Sequence, residues 1–136
     1  MSDKEALSRV KIDTLLIASG WRLLDDGEKK KNVVLEQGYR TGKTTKFTDY
    51  LLLDTYNRPL AVIEAKKAEF PLKSAKSQAM EYCKQLNVNY FYLSNGEEHY
   101  FASVQDGVLH PVESFNSQEE LMELDDNKTD RIDLWK

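Results

Sequence analysis

Pro59-Leu60-Ala61-Val62-Ile63-Glu64-Ala65-Lys66-Lys67 is the most informative segment of the chain. Leu60 to Ile63 are apolar at every position. As a strand, reaching Lys66, they are buried on both faces, so the sheet that holds them needs covering helices. Glu64 and Lys66 break the apolar run at its end. Residues two apart in a strand share a face, so these two project together while Ile63 and Ala65 face the other way. Upstream, Phe47 to Asp54 reads as another strand, and Tyr56-Asn57-Arg58-Pro59 as a turn. Strands joined by so short a link pair as an antiparallel hairpin. Asp49 and Glu64 lie at about equal distances from the turn and can meet across the ladder.

Near the start of the chain, residues 3–19 predict a helix with an apolar stripe of Ala6, Val10, Ile12, Leu15, Leu16 and Ala18. Ser2 or Asp3 caps its start and Gly20 ends it, with Trp21 as a core anchor. A strand runs from Val33 to about Tyr39, and residues 40–46 form a polar connection. Ser74 to Leu86 predicts a second helix, closed by Asn87, which tolerates the left-handed conformation. Strands follow at Tyr90–Leu93 and His99–Val104, separated by the hairpin signal Asn95-Gly96. Asp106-Gly107 marks another turn, and a short helix spans Gln118 to Leu124. The order of helix, three strands, helix, two strands predicts an α/β fold with a mixed sheet flanked by helices.

The 136 residues suit one domain that buries a core without disulfides or a structural metal. Cys83 is the only cysteine, which excludes an internal disulfide and a Cys-rich zinc site and reads as a small buried thiol. His99 and His110 are too few for a His-based metal centre. No apolar run approaches the ~18 residues of a membrane span. The charged start lacks a signal-peptide core, so a cytoplasmic location is the simplest reading. The net charge of −4 argues against a general DNA-coating protein. Yet residues 40–85 hold nine Lys/Arg against five Asp/Glu, a local +4 that suits a phosphate backbone. From Glu113 onward there are eight acidic and three basic residues. Residues 1–112 therefore read as the domain and 113–136 as an acidic extension, whose Leu134-Trp135 ending suggests that the natural chain continues.

Two carboxylates converging at a sheet end suit Mg²⁺, which takes hard oxygen ligands and keeps several waters. The Ala65 carbonyl can add another oxygen. Such an ion would stabilise charge on a scissile phosphate and acidify a bound water, while Lys66 orients that water or offsets the developing charge. The plain alternative is a solvated ion-pair cluster at the strand ends.

Asp49 followed by Ile63-Glu64-Ala65-Lys66 resembles the PD-(D/E)xK nuclease motif, with Thr48 where the motif has Pro. The stretch Pro59 to Lys67, the Gln-x-x-x-Tyr element Gln78-Ala79-Met80-Glu81-Tyr82, Leu93-Ser94-Asn95-Gly96-Glu97-Glu98 and the helix ending at Gly20-Trp21 together resemble the N-terminal nuclease domain of the restriction (R) subunit of type I restriction-modification enzymes. The resemblance covers roughly residues 3–104. It implies a restriction-endonuclease-like fold and Mg²⁺-dependent cleavage of double-stranded DNA, with Mn²⁺ able to substitute. Asp49 and Glu64 would be metal ligands, Lys66 the catalytic lysine, and Gln78 and Tyr82 neighbours of the site on one helical face. The alternative for that pair is a core tyrosine and a surface glutamine. Glu5 sits where related nucleases often carry another acid, or is a first-turn acid favoured by the helix dipole. The implied partners are methylation and specificity subunits. ATP would act only through a motor region absent from this chain.

Gly38-Tyr39-Arg40-Thr41-Gly42-Lys43-Thr44 imitates a phosphate-binding loop but has three residues between its glycines where four are needed, and a strand follows where a helix should. Arg40, Lys43 and Lys46 can still contact DNA phosphates, or be a solvated basic loop. Lys67, Lys73, Lys76 and Lys84 can line a DNA approach, or be exposed helix lysines. Tyr90, Phe91, Tyr92, Tyr100 and Phe101 favour core packing over base stacking. The rival to a nuclease is a non-catalytic DNA- or subunit-binding module of the same fold.

Overall fold

The computed structural model describes residues 3–133, with the side chains of residues 3, 4, 37, 39–41, 44–48 and 127–133 outside the described set. Helix α1 (Asp3–Ala18) leads into β1 (Val33–Thr41), β2 (Thr44–Leu53) and β3 (Pro59–Ala65). A 3-10 turn at Leu72–Ala75 opens α2 (Lys76–Leu86), followed by β4 (Tyr90–Ser94), β5 (His99–Ser103), β6 (His110–Val112) and α3 (Gln118–Asp133). Among the described residues the strands form one six-stranded sheet in chain order, antiparallel throughout except for the parallel β3–β4 pair. That pair needs a crossover, and α2 supplies it. The mixed α/β sheet flanked by helices is the expected architecture.

Strand alternation divides the interior into two layers. Tyr50, Leu52, Ala61, Ile63, Tyr90 and Tyr92 pack with Ile12 and Leu16 of α1, Trp21, Phe115 and Leu121 of α3. Leu51, Val62, Phe91, Leu93 and Ala102 pack with Ala79, Tyr82 and Cys83 of α2. Burial on both faces is what the unbroken apolar run of β3 requires. The aromatic strands are core: Tyr90 stacks on Phe101 at 5.7 Å, and Tyr92 meets Phe115 edge-on at 5.0 Å. Cys83 is buried, and burial pushes its thiol up to about 12.

Local chemistry explains the boundaries. Asp54 accepts the Tyr56 and Arg58 amides, closing the β2–β3 turn with Asn57 at φ 63°. Asn87 ends α2 at φ 56°, ψ 50°, the left-handed conformation expected of it. Ser117 and Glu120 form a reciprocal capping box at the start of α3. Trp21 is buried and donates its indole N–H to the Asn116 carbonyl at 2.9 Å. A Cβ on Gly96 would come within 3.1 Å of the Ser8 carbonyl, so glycine lets the β4–β5 turn dock under α1.

Several expectations are corrected. The polar connection at residues 40–46 is mostly strand, with Thr41 pairing Thr44 around Gly42-Lys43. As the sequence indicated, strand and not helix follows the glycine-rich stretch, so it is not a phosphate-binding loop. A sixth strand, β6, was not anticipated, and α3 extends well beyond Leu124. In α1 the buried face is Ser8, Ile12 and Leu16, with Leu15 partly covered, while Ala6, Val10 and Ala18 are exposed. Residues four apart share a helical face, and the small Ser8 extends it where an apolar count sees a gap. Among the described residues no helix is long and apolar enough to cross a membrane.

Candidate active site

The β2–β3 register pairs Tyr50 with Ile63, so Asp49 and Glu64 stand opposite one another one step along the ladder. Alternation puts both on the α2 side, with Leu51 and Val62. Asp49 Oδ2 accepts the Ala65 amide at 2.8 Å, which clamps its carboxylate to the end of β3. Beyond that point the backbone turns to β4, and the Lys66 amide donates to the Ser94 carbonyl at 2.9 Å. The Lys66 side chain comes back over the strand end. Its Nζ lies 3.3 Å from Glu64 Oε1, 3.5 Å from Gln78 Oε1 and 5.0 Å from the centre of the Phe70 ring. Gln78 donates to the Tyr82 hydroxyl at 2.5 Å. Asp49, Glu64, Lys66, Gln78 and Tyr82 are thus gathered into one polar chain. Tyr82 has its ring in the core and its hydroxyl at the chain's end, while Gln78 is exposed. Core packing of the Tyr82 ring and a contact between its hydroxyl and Gln78 are therefore compatible.

The electrostatics are those of crowded acids. Burial, and then the Asp49 charge, push the Glu64 carboxyl up to about 8 against the pull of Lys66. Burial also raises Asp49, offset in part by the Ala65 amide, Arg9 and Lys66. Glu64 Oε2 is buried without a hydrogen-bond partner. A buried carboxylate oxygen left unmet is costly. A divalent cation between the two acids would meet it, so the donor set fits a hard ion. Among the described residues no group of three or more His, Cys, Asp or Glu converges on a metal position. Glu5, exposed on α1, is not gathered with Asp49 and Glu64 into such a set. The protein would supply two carboxylates, leaving the Ala65 carbonyl and water to complete the sphere.

Sequence reasoning missed Arg9. Its guanidinium, carried by a helix whose buried residues belong to the other layer, donates to Asp49 Oδ1. It also lies 3.9 Å from Glu36 Oε1 and 5.8 Å from the centre of the Tyr50 ring. Glu36 sits between the pairs Leu35–Tyr50 and Gln37–Thr48, across from Asp49, with a left-handed φ of 56°. Non-glycine residues in that conformation concentrate at functional sites. No local sequence signal marks Arg9. Only the docking of α1 brings it to Asp49.

The candidate DNA-contacting residues are scattered. Lys43 is exposed at the β1–β2 turn, and Lys67 is exposed beside Lys66. The side chains of Arg40 and Lys46 lie outside the described set. Lys73 is exposed, its ammonium 6.0 Å over the Tyr100 ring. Lys76 is half-buried alongside Gly107, and Lys84 is exposed in the last turn of α2.

A family model described as the type I restriction enzyme R protein N terminus matches residues 25–117. Among solved structures, a fragment assigned to the HsdR subunit of a type I restriction enzyme from Vibrio vulnificus YJ016 is similar, with 26% identity and a TM-score of 0.71 over 90% of this chain. This chain spans 25% of that one. The type IIG restriction endonuclease BpuSI shares the fold at 18% identity and a TM-score of 0.50, over 73% of this chain and 11% of its own. No curated protein matches the sequence.

Proposed function

The chain belongs to the family of type I restriction enzyme R protein N termini, and on that premise we propose that Asp49, Glu64 and Lys66 form a metal-dependent DNA-cleaving site of the PD-(D/E)xK type. The observation that carries this reading is the unmet Glu64 Oε2 buried beside Asp49, with the Lys66 ammonium on the opposite Glu64 oxygen. Two acids so placed repel each other once both are ionised, and a divalent cation between them would relieve that repulsion. Mg²⁺, or Mn²⁺ in its stead, would supply charge stabilisation at the scissile phosphate and a more acidic water. Asp49 and Glu64 would hold the ion, and the Ala65 carbonyl could add a further oxygen. Lys66 places its ammonium at the mouth of the acid pair, where it offsets charge gathering on the phosphate or orients the attacking water. Gln78 accepts from Lys66 and donates to Tyr82, so the tyrosine, fixed in the core, sets the position of the lysine through the glutamine.

The proposed substrate is double-stranded DNA, with the exposed Lys43, Lys67 and Lys73 as candidate phosphate contacts. The proposed setting is a restriction-modification complex in which methylation and specificity subunits choose the site. Net negative charge suits a cutting domain to which DNA is delivered by others. The test is nicking of supercoiled plasmid with Mg²⁺ or Mn²⁺, comparing the wild type with Lys66→Ala. Loss of at least about a hundredfold in rate is expected from removing a group that stabilises the transition state. Equal nicking by the two proteins would overturn the proposal.

The pairing of Asp49 with Arg9 favours a second reading, a binding module whose acids are already neutralised within the protein. That reading predicts no divalent-ion binding and no nicking, even when the domain is joined to a motor.

A further inference from the structure

Asp49 is held from two sides. One oxygen takes the Ala65 amide and the other takes the Arg9 guanidinium, so both are engaged before any ion arrives. The Ala65 amide is fixed by the backbone where β3 ends. The guanidinium stands at the tip of a flexible side chain. A divalent ion joining Asp49 to Glu64 would therefore face a resident positive charge on one of its two carboxylates.

Resting on the metal-site reading above, we propose that Arg9 is an internal counter-ion that competes with the divalent cation for Asp49 and so sets the affinity of the site. The guanidinium is a planar cation already seated on the carboxylate, so a divalent ion must displace it to gain that oxygen. The structure gives the displaced guanidinium somewhere to go. The Glu36 carboxylate is 3.9 Å away on an exposed side chain, and the face of Tyr50 lies beneath. The helix need not move with it. The Tyr50 hydroxyl donates to Asp13 at 2.7 Å and approaches the Arg9 carbonyl at 3.3 Å, and Ile12 and Leu16 are buried. Arg9 can thus release Asp49 while α1 stays docked.

The experiment is Mn²⁺ titration of the full 136-residue chain by calorimetry, with Arg9→Gln, Arg9→Lys and Asp49→Asn alongside. Removing the resident charge is expected to tighten Mn²⁺ binding about tenfold, equivalent to ~1.4 kcal/mol. Arg9→Lys keeps the charge but loses the planar fork, and should tighten binding by a smaller factor. The metal-free Arg9→Gln protein should also melt below the wild type and recover the difference at saturating Mn²⁺. A general packing defect does not raise ion affinity, so the gain separates competition from a merely structural role. Unchanged or weaker Mn²⁺ binding in a natively folded Arg9→Gln protein overturns the inference. Should that variant fail to fold, unchanged binding in Arg9→Lys overturns it instead. Wild-type binding that is lost in Asp49→Asn but unmoved by either Arg9 variant leaves the metal site standing and removes only the competition. Absence of Mn²⁺ binding in both the wild type and Arg9→Gln removes both.

Discussion

Replacing Glu64 with Gln should make the metal-free protein more stable at mildly alkaline pH, the reverse of what losing an active-site charge usually suggests. The Glu64 carboxyl moves from 4.5 to about 8 in the fold, chiefly through burial and secondly through Asp49. A group whose folded pKa is raised helps stability fully below its unfolded value. That help is lost as pH climbs toward the folded value. Each tenfold change in proton affinity is worth ~1.36 kcal/mol, so holding Glu64 ionised costs on the order of 5 kcal/mol at the limit. Relaxation around the ionised acids brings the expected difference at pH 8 to about 3 kcal/mol. Gln keeps the shape and carries no charge. In EDTA, urea denaturation should find the two proteins equal near pH 5 and Glu64→Gln ahead by that amount at pH 8, a melting shift of roughly 10 °C. Added Mg²⁺ should reverse the order by stabilising only the wild type. Parallel stability curves for the two proteins from pH 5 to 8.5 in EDTA would refute the account of a crowded, charge-starved acid pair.

Tyr82→Phe should keep stability within about 1 kcal/mol, because the ring stays in the core, while slowing plasmid nicking through loss of the contact with Gln78; Tyr82→Ala should cost about 3–5 kcal/mol in denaturant unfolding. Ile12→Ala is expected to destabilise by about 2–5 kcal/mol and Val10→Ala by less than about 0.5 kcal/mol. Equal losses would contradict the assigned face of α1. Asn87→Gly should be neutral or slightly stabilising, whereas Asn87→Val should cost on the order of 1–3 kcal/mol because a branched side chain strains the left-handed position.

The hairpin from Asp49 to Lys66 was legible because its signals are local. Apolar residues on both faces of β3 demanded cover, a short turn fixed the register, and that register put Asp49 across from Glu64. Asn87 was legible for a similar reason, since one residue type suits the conformation that closes α2. What stayed hidden depends on distance or on weak pattern. Strand β6 is three residues, His110-Pro111-Val112, at the sheet edge, where neither proline nor exposure is penalised. The buried side of α1 includes a serine, so counting apolar residues found Ile12, Leu15 and Leu16 but also took in the exposed Ala6, Val10 and Ala18. Arg9 joins the site through a bond spanning 40 residues, and nothing near it in the chain distinguishes it from any other helical arginine. Glu36 could not be foreseen either, because its left-handed backbone is imposed by the strand pairing rather than by its own preference.

The contacts that assemble the acid–lysine–tyrosine chain span short sequence separations: 16 residues from Asp49 to Ala65, 12 from Lys66 to Gln78 and 4 from Gln78 to Tyr82. Loops of that size cost little entropy to close. The Arg9 contact, by contrast, closes a loop of 40 residues and needs the first helix already docked.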